Sequence, residues 1–300
     1  MGPIGTKAEM QFLIQIIISG IATGAIYGII AVGYSITYST MRVLNFALGM
    51  WVMIGAMIGY TLYVTLGLNL FISLLGVAAM VAVLGIIAER ITVFPFVRAG
   101  SDVWIMSTLA TGMLFINIAE LIWGRQPLAI PSFLGKYPIK FKDIGIYPQE
   151  IFIVVLACAV MIILDLFLKY SLFGKAFRAT AFSSEVASLM GINTRRIASF
   201  AYTLACCIAG FAGFILAPVT LADPQMGTVL GLKAFAIAII GGLEAGKRIF
   251  LCGIIYGVVE GLLTGYLYSG IRDIIGFTLM ILFLLVRPMG LFGRTSVERA

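Results

Sequence analysis

The stretch Gly174–Ile197 reads GKAFRATAFSSEVASLMGINTRRI and gathers much of the charge of a chain that is 61% hydrophobic and 11% charged. Apolar runs flank it, Ile151–Leu168 before and Ile197–Ala217 after. Each is about the length an α-helix needs to cross roughly 30 Å of hydrocarbon. A mean hydropathy of +1.10 is far from that of soluble domains, in which about a quarter of residues are charged. The basic stretch is therefore a connection between two membrane segments, and the chain is polytopic.

Working outward, further apolar segments lie at Met10–Tyr34, Phe46–Leu66, Leu70–Ala88, Trp104–Trp123, Met226–Gly242, Ile249–Tyr268 and Ile274–Val286. Since lipid leaves no solvent for unpaired backbone groups, the spans are helices. The expected fold is all-α, a transmembrane helical bundle of about eight to nine segments. Met226–Gly242 is short and holds Lys233, and the first segment runs into a charge-poor stretch, so each is a candidate for a bent or re-entrant course. Residues 1–9 read as a polar N-terminal extension ahead of a natural start at Met10, and residues 10–300 as one transmembrane domain. The first apolar run is long enough to stay in the membrane rather than act as a cleaved signal. The cysteines, Cys158, Cys206, Cys207 and Cys252, all fall in apolar runs and point to no disulfide or metal framework.

The connection from Lys169 to Arg196 carries Lys169, Lys175, Arg178, Arg195 and Arg196 against Glu185, a net +4. Positively charged loops stay inside, so residues 169–196 are expected in the cytoplasm. The tail, with Arg287, Arg294 and Arg299 against Glu298, is expected there too. By parity Gly124–Glu150 faces outward; its four prolines and alternating apolar residues predict an ordered cap. Within the basic connection, Phe182, Val186, Leu189 and Met190 fall on one face of a short helix. Ser183 or Ser184 can cap it, and Glu185 sits where the helix dipole favours a carboxylate. Gly191 ends it with a left-handed residue, and Asn193 or Thr194 can cap the next helix. A helix this short needs a surface to lie on; lipid headgroups and a protein partner both suit it.

Here the sequence resembles a known family. KAFRATAFSSEVASLMGINTRRI (Lys175–Ile197) resembles the cytoplasmic loop of permease subunits of branched-chain amino acid ABC importers. Gly20–Ala56 (GIATGAIYGIIAVGYSITYSTMRVLNFALGMWVMIGA), Gly231–Leu262 (GLKAFAIAIIGGLEAGKRIFLCGIIYGVVEGL) and Leu285–Gly293 (LVRPMGLFG) are similar to the same family, in its order. The likeness is to the shorter of its two permease types. It implies the ABC importer permease fold in the cell inner membrane, in contact with membrane lipid and not with nucleic acid. It also implies a second related permease, two cytoplasmic ATPase subunits that hold ATP and Mg, and an extracytoplasmic substrate-binding protein. This chain would then be no enzyme and bind no cofactor. The short helix becomes a coupling helix docking on an ATPase, carried by Phe182, Glu185, Val186, Leu189, Met190 and Gly191. The Glu-Ala-Ala core of that motif reads Glu185-Val186-Ala187 here, and its Ile-x-Leu-Pro ending is missing. The implied cargo is a branched-chain or related amino acid, with urea or a short amide as the alternative. Lys136, Lys140 and Lys142 are candidate contacts for the binding protein.

Other features take plainer readings. Gly241-x4-Gly246-Lys247 imitates a phosphate-binding loop, but Arg248 stands where a magnesium-holding Ser or Thr is needed and no strand precedes it, so it reads as a turn. Gly20, Gly24 and Gly28, like Gly253, Gly257, Gly261 and Gly265, recur every four residues, a pattern that lets helix backbones approach in lipid. Polar groups inside spans are functional candidates by default. These are Asn45, where a broken helix is expected beside Phe46, with Asn117, Lys233 and Glu260; Glu120 lies near the end of its span. Lys233 can instead reach for the interface, and Glu260 can serve interhelical hydrogen bonding. An ion-coupled secondary transporter is the rival class. It needs a proton or sodium site in the membrane, and the acids are few and histidine absent. An intramembrane enzyme lacks any metal-ligand or paired-carboxylate spacing.

Overall fold

The computed structural model describes residues 4–98, 103–135, 137–141, 144–243, 246–267, 270 and 272–286. The chain enters as the long helix α1 (Ile4–Met41), which takes in residues 4–9 without a break. After an irregular segment comes α2 (Leu48–Tyr60), continued by a π turn at Thr61–Thr65. Next is α3 (Leu70–Ala88), whose start is fixed by Asn69: its Oδ1 accepts the Ile72 N–H at 2.9 Å. A second π turn, Glu89–Val93, leads into α4 (Phe94–Arg98), followed by α5 (Trp104–Trp123). The segment expected to form an ordered cap carries the antiparallel hairpin β1 (Ile139–Phe141) and β2 (Ile144–Ile146), in which Ile139 pairs with Ile146 and Phe141 with Ile144. Pro148, harmless at a helix start where its missing N–H has no partner to lose, opens α6 (Pro148–Tyr170).

The basic connection folds as α7 (Leu172–Phe182) and α8 (Ser184–Leu189). It returns through α9 (Thr194–Thr220), then α10 (Met226–Gly241), α11 (Gly246–Tyr266) and α12 (Arg272–Val286). Among the described residues, seven helical segments are long and apolar enough to cross a membrane, and α10 is a shorter apolar helix. With α12 these correspond to the nine segments read from the sequence. The residues of the basic tail, of the Leu285–Gly293 stretch beyond Val286 and of Glu244–Ala245 in the Gly-rich turn lie outside the described residues.

Burial divides the helices into two groups. In α1, α2 and α9 about seven residues in ten of the most apolar window are buried, against about two in ten for α3, α5 and α6. The outer helices present Phe71, Leu75, Met113, Leu121 and Ile163 outward, each more than half exposed. In water such a surface would be one large adhesive patch; in lipid it is the solvated face.

The inner helices pack by backbone contact. The two glycine ridges meet each other, antiparallel: a Cβ on Gly20 would lie 2.9 Å from the Gly257 carbonyl oxygen, on Gly24 2.6 Å from that of Gly253, and on Gly28 2.8 Å from that of Phe250. Gly261 and Gly265 face Ile16. A second set binds α2 to its neighbours. Gly55 lies against Gly210 and Gly213 against the Val52 backbone, while Gly49 packs on Gly227 and Gly231 of α10. Lipid is as apolar as leucine, so association in it rests on such close contact.

The helices also define two ends. The α7–α8 unit joins the C-terminus of α6 to the N-terminus of α9. At the other ends of these helices sit the hairpin, just before α6, and a two-way backbone bridge between Leu128 and Ala222, just after α9, with both N···O distances 2.8 Å. At 1.5 Å per residue, the 27-residue α9 separates the two by about 40 Å. Replacement of Gly24 by Leu is expected to force α1 off α11 and cost roughly 1–3 kcal/mol or more, seen as a lower unfolding temperature and loss of the monodisperse species in detergent. Gly246→Ala, whose Cβ would meet only Met161 Cε at 3.9 Å, is expected to leave both unchanged.

Candidate functional site: a docking surface and a buried charge cluster

Three side-chain caps shape the α7–α8 unit. Ser171 Oγ accepts from Gly174 N at 2.8 Å, Ser183 Oγ from Val186 N at 3.3 Å, and Asn193 Oδ1 from Arg196 N at 3.1 Å. Ser183 is extended, with φ −154° and ψ 114°, so Phe182 closes α7 and the single helix expected over Phe182–Met190 is a shorter one with a hinge before it. Glu185 stands in its first turn. Gly191, at φ 81°, reverses the chain, and Ile192 N donates to Ala187 O at 3.1 Å. Ala187 is buried against the bundle, together with Phe177 and Thr180 of α7.

The apolar residues read as one face point away. Phe182 is 92% exposed, Leu189 85%, Met190 78% and Val186 56%. Lys175, Arg178, Arg195 and Arg196 are exposed around them; Arg178 donates to the Lys169 carbonyl at 3.2 Å, and the Arg195 guanidinium lies 3.8 Å from the centre of the Phe94 ring. The unit is therefore anchored by its small residues and offers its large ones.

The polar residues inside the spans do not converge on one place. Lys233 and Glu260 meet: Lys233 Nζ lies 2.5 Å from Glu260 Oε1 and 2.8 Å from Asp273 Oδ1. Arg272 approaches Glu260 Oε2 at 3.6 Å, and the Tyr27 hydroxyl donates to the same oxygen at 3.1 Å. Four helices, α1, α10, α11 and α12, contribute. Lys233 and Glu260 are only 1% and 0% exposed, so Lys233 turns inward rather than toward the interface. Gly276 lets α12 close on the cluster, since a Cβ there would lie 2.8 Å from Glu260 Oε1 and 2.9 Å from the Tyr256 hydroxyl. That hydroxyl donates to the Gly276 carbonyl at 2.7 Å. Two acids face two bases, so the cluster is neutral within itself and has no unbalanced carboxylate to offer a coupling ion. Asp273, Arg272 and Tyr27 were not legible as members, because their partners lie on other helices and no spacing marks them.

Asn45 sits, fully buried, in the irregular segment between α1 and α2, where its Oδ1 accepts from Ala47 N at 3.1 Å. Phe46 packs on Phe235 of α10 with ring centres 5.5 Å apart. Asn117 is exposed on α5 and donates to its own helix at Met113 O, 2.8 Å away. Glu120 pairs with Arg125 at 2.9 Å and accepts from Gln225 at 3.3 Å. Lys136, Lys142 and the side chain of Lys140 lie outside the described residues. Replacing Lys233 by Met removes the nearest counter-charge of buried Glu260 and leaves two carboxylates, Glu260 and Asp273, facing the one base Arg272. The expected cost is about 3–5 kcal/mol, with much of it recovered in Lys233→Met/Glu260→Gln, checked by thermal unfolding of the purified variants. Equal losses in the single and the double variant would show that the pairing is not what the cluster contributes.

The pattern of one protein family matches residues 16–284, and that family is described as the permease component of the branched-chain amino acid transport system. Among similar proteins, the high-affinity branched-chain amino acid transport system permease protein LivH of Escherichia coli (strain K12) is 29% identical over 97% of this chain and 99% of its own length. The corresponding permease protein BraD of Pseudomonas aeruginosa is also 29% identical, with the same coverage. A probable branched-chain amino acid transport permease protein LivH of Methanocaldococcus jannaschii is 28% identical over 88% of each chain. Among solved structures, a chain of PsaBC from Streptococcus pneumoniae in complex with Fab superposes with a TM-score of 0.51 over 93% of this chain and 92% of that one, at 14% identity, so the overall fold is shared. The chain is a polytopic membrane protein, a transport component rather than an enzyme, and it belongs to the branched-chain amino acid transport permease family.

Proposed function

We propose that this chain is a membrane-spanning subunit of an ATP-driven importer and passes branched-chain or related amino acids delivered by an extracytoplasmic binding protein. The observation that carries the reading is the α7–α8 unit: a capped, basic element that directs Phe182, Val186, Leu189 and Met190 outward at one end of the bundle. Large apolar side chains ringed by exposed cations suit a protein groove with an acidic rim. An ATPase subunit docked there supplies the work of transport.

In this reading the α7–α8 end and the C-terminus are cytoplasmic, as the net +4 of residues 169–196 favours, and the hairpin end faces outward in the inner membrane. Two ATPase subunits hold ATP and Mg, and a second related permease completes the pathway. The names of the relatives favour branched-chain amino acids over urea or short amides. The internal neutralisation of Lys233, Glu260, Arg272 and Asp273 favours ATP drive over ion coupling.

Val186→Asp and Leu189→Asp place a charge where the docking groove is driest. Each is expected to weaken association with the ATPase subunits by about tenfold or more and to abolish uptake, while the chain still inserts. Co-purification of the tagged complex and ATP-dependent uptake in vesicles check this; unchanged association and uptake in both variants would refute the docking assignment.

A further inference from the structure

We propose that Gln149 is a positioning residue that ties the segment between α5 and α6 to both helices leading to the docking surface, so that a partner engaging that segment acts on α7 and α8. The inference rests on the importer reading above and goes beyond it by naming the joint.

Gln149 is the second residue of α6 and only 3% exposed. Its Oε1 accepts from Phe133 N at 3.2 Å and from Ser132 Oγ at 3.3 Å, and its Nε2 donates to Ile215 O in α9 at 3.1 Å. Only one orientation of the amide satisfies both sides, since the Phe133 N–H needs an acceptor and the Ile215 carbonyl a donor. One side chain thus joins the segment that follows α5, the start of α6 and the last third of α9.

The other ends of α6 and α9 are the two attachments of the α7–α8 unit: Ser171 follows α6 directly and caps α7, and Asn193 follows the Gly191 turn and caps α9. Aromatic packing at the same end, Phe133 on Phe214 at 5.3 Å and on Phe152 at 5.9 Å, fills space without direction. The amide bonds and the Leu128–Ala222 bridge are the directional links. A helix carries displacement along its axis with little loss, so a joint between two rods at one end constrains their separation at the other.

The test uses the assembled importer in lipid nanodiscs, comparing wild type, Gln149→Met and Gln149→Glu. Methionine keeps the volume and removes all three bonds. Glutamate keeps the acceptor for Ser132 and Phe133 and, assayed at raised pH so that it is ionised despite burial, removes the donor to Ile215, isolating the link to α9. ATP hydrolysis is measured with and without the cargo-loaded binding protein, and so is the affinity of that protein for the complex. The expected result is an unchanged basal rate and an unchanged affinity, with stimulation reduced about fivefold or more in both variants. Stimulation equal to wild type in either variant would overturn the inference. So would basal and stimulated rates falling in parallel, or failure of both variants to assemble, because these mark a purely structural residue. A wild-type complex that the binding protein does not stimulate would overturn the importer reading, and the inference with it.

Discussion

Close approach of helix backbones is the constraint on which the rest of this structure depends. In lipid an apolar side chain gains nothing by turning inward, so the inner helices cannot be held by hydrophobic burial as a soluble core would be. Contact at van der Waals distance remains, and it grows with the backbone surface that can be brought together. Gly20, Gly24 and Gly28 meet the ridge of α11 in this way, and Gly49, Gly55, Gly210 and Gly213 bind α2 to α9 and α10. The consequence is a bundle in which α1, α2 and α9 are nearly sealed and the apolar exterior is left to lipid.

That sealed interior makes ionised groups expensive, and the arrangement around Glu260 shows how the cost is met. Each charge has an opposite neighbour, a hydroxyl serves Glu260 Oε2, and Gly276 lets α12 approach closely enough to bring Asp273 to Lys233. The cluster clamps α12, which buries little apolar surface of its own, to α10 and α11. A buried ionic set adds less to stability than its short distances suggest; its stronger contribution is to the register in which four helices meet. Neutral within itself, with Lys233 and Glu260 buried and Asp273 and Arg272 partly exposed at its edge, the cluster fastens α12 to its neighbours.

Much of this was legible in the sequence, for physical reasons specific to each element. Spans follow from uninterrupted hydropathy because the bilayer sets a length. The ends of α8 and the start of α9 were readable, though α7 was not, because local chemistry determines them: Ser183, Gly191 and Asn193 act within a few residues of themselves. The glycine ridges showed by their period but not by their partner. What could not be read are contacts between elements distant in the chain. Asp273 reaches Lys233 from forty positions away, and Gln149 reaches Ile215 from sixty-six; neither leaves a periodic trace. The helix drawn over Phe182–Met190 divides at Ser183 because a capping serine accepts from the turn that follows it by leaving helical geometry itself.

The same division between local and distant contacts separates the surfaces of the molecule from the parts that connect them. The α7–α8 unit is shaped by short-range caps and anchored on the bundle through Phe177, Thr180 and Ala187, and it leaves its large apolar residues exposed. The segment between α5 and α6 is held instead by long-range bonds, from Ser132 and Phe133 to Gln149 and between Leu128 and Ala222, and the helix ends beside it are tied through Trp123 to Thr61 at 2.8 Å and through Gln149 to Ile215. Between them α9 runs unbroken for 27 residues, with Pro218 only in its last turn, where the lost hydrogen bond leaves the length of the rod intact. In the importer reading proposed above, a rigid connection between two contact surfaces is what a subunit needs when both the cargo and the energy come from other chains.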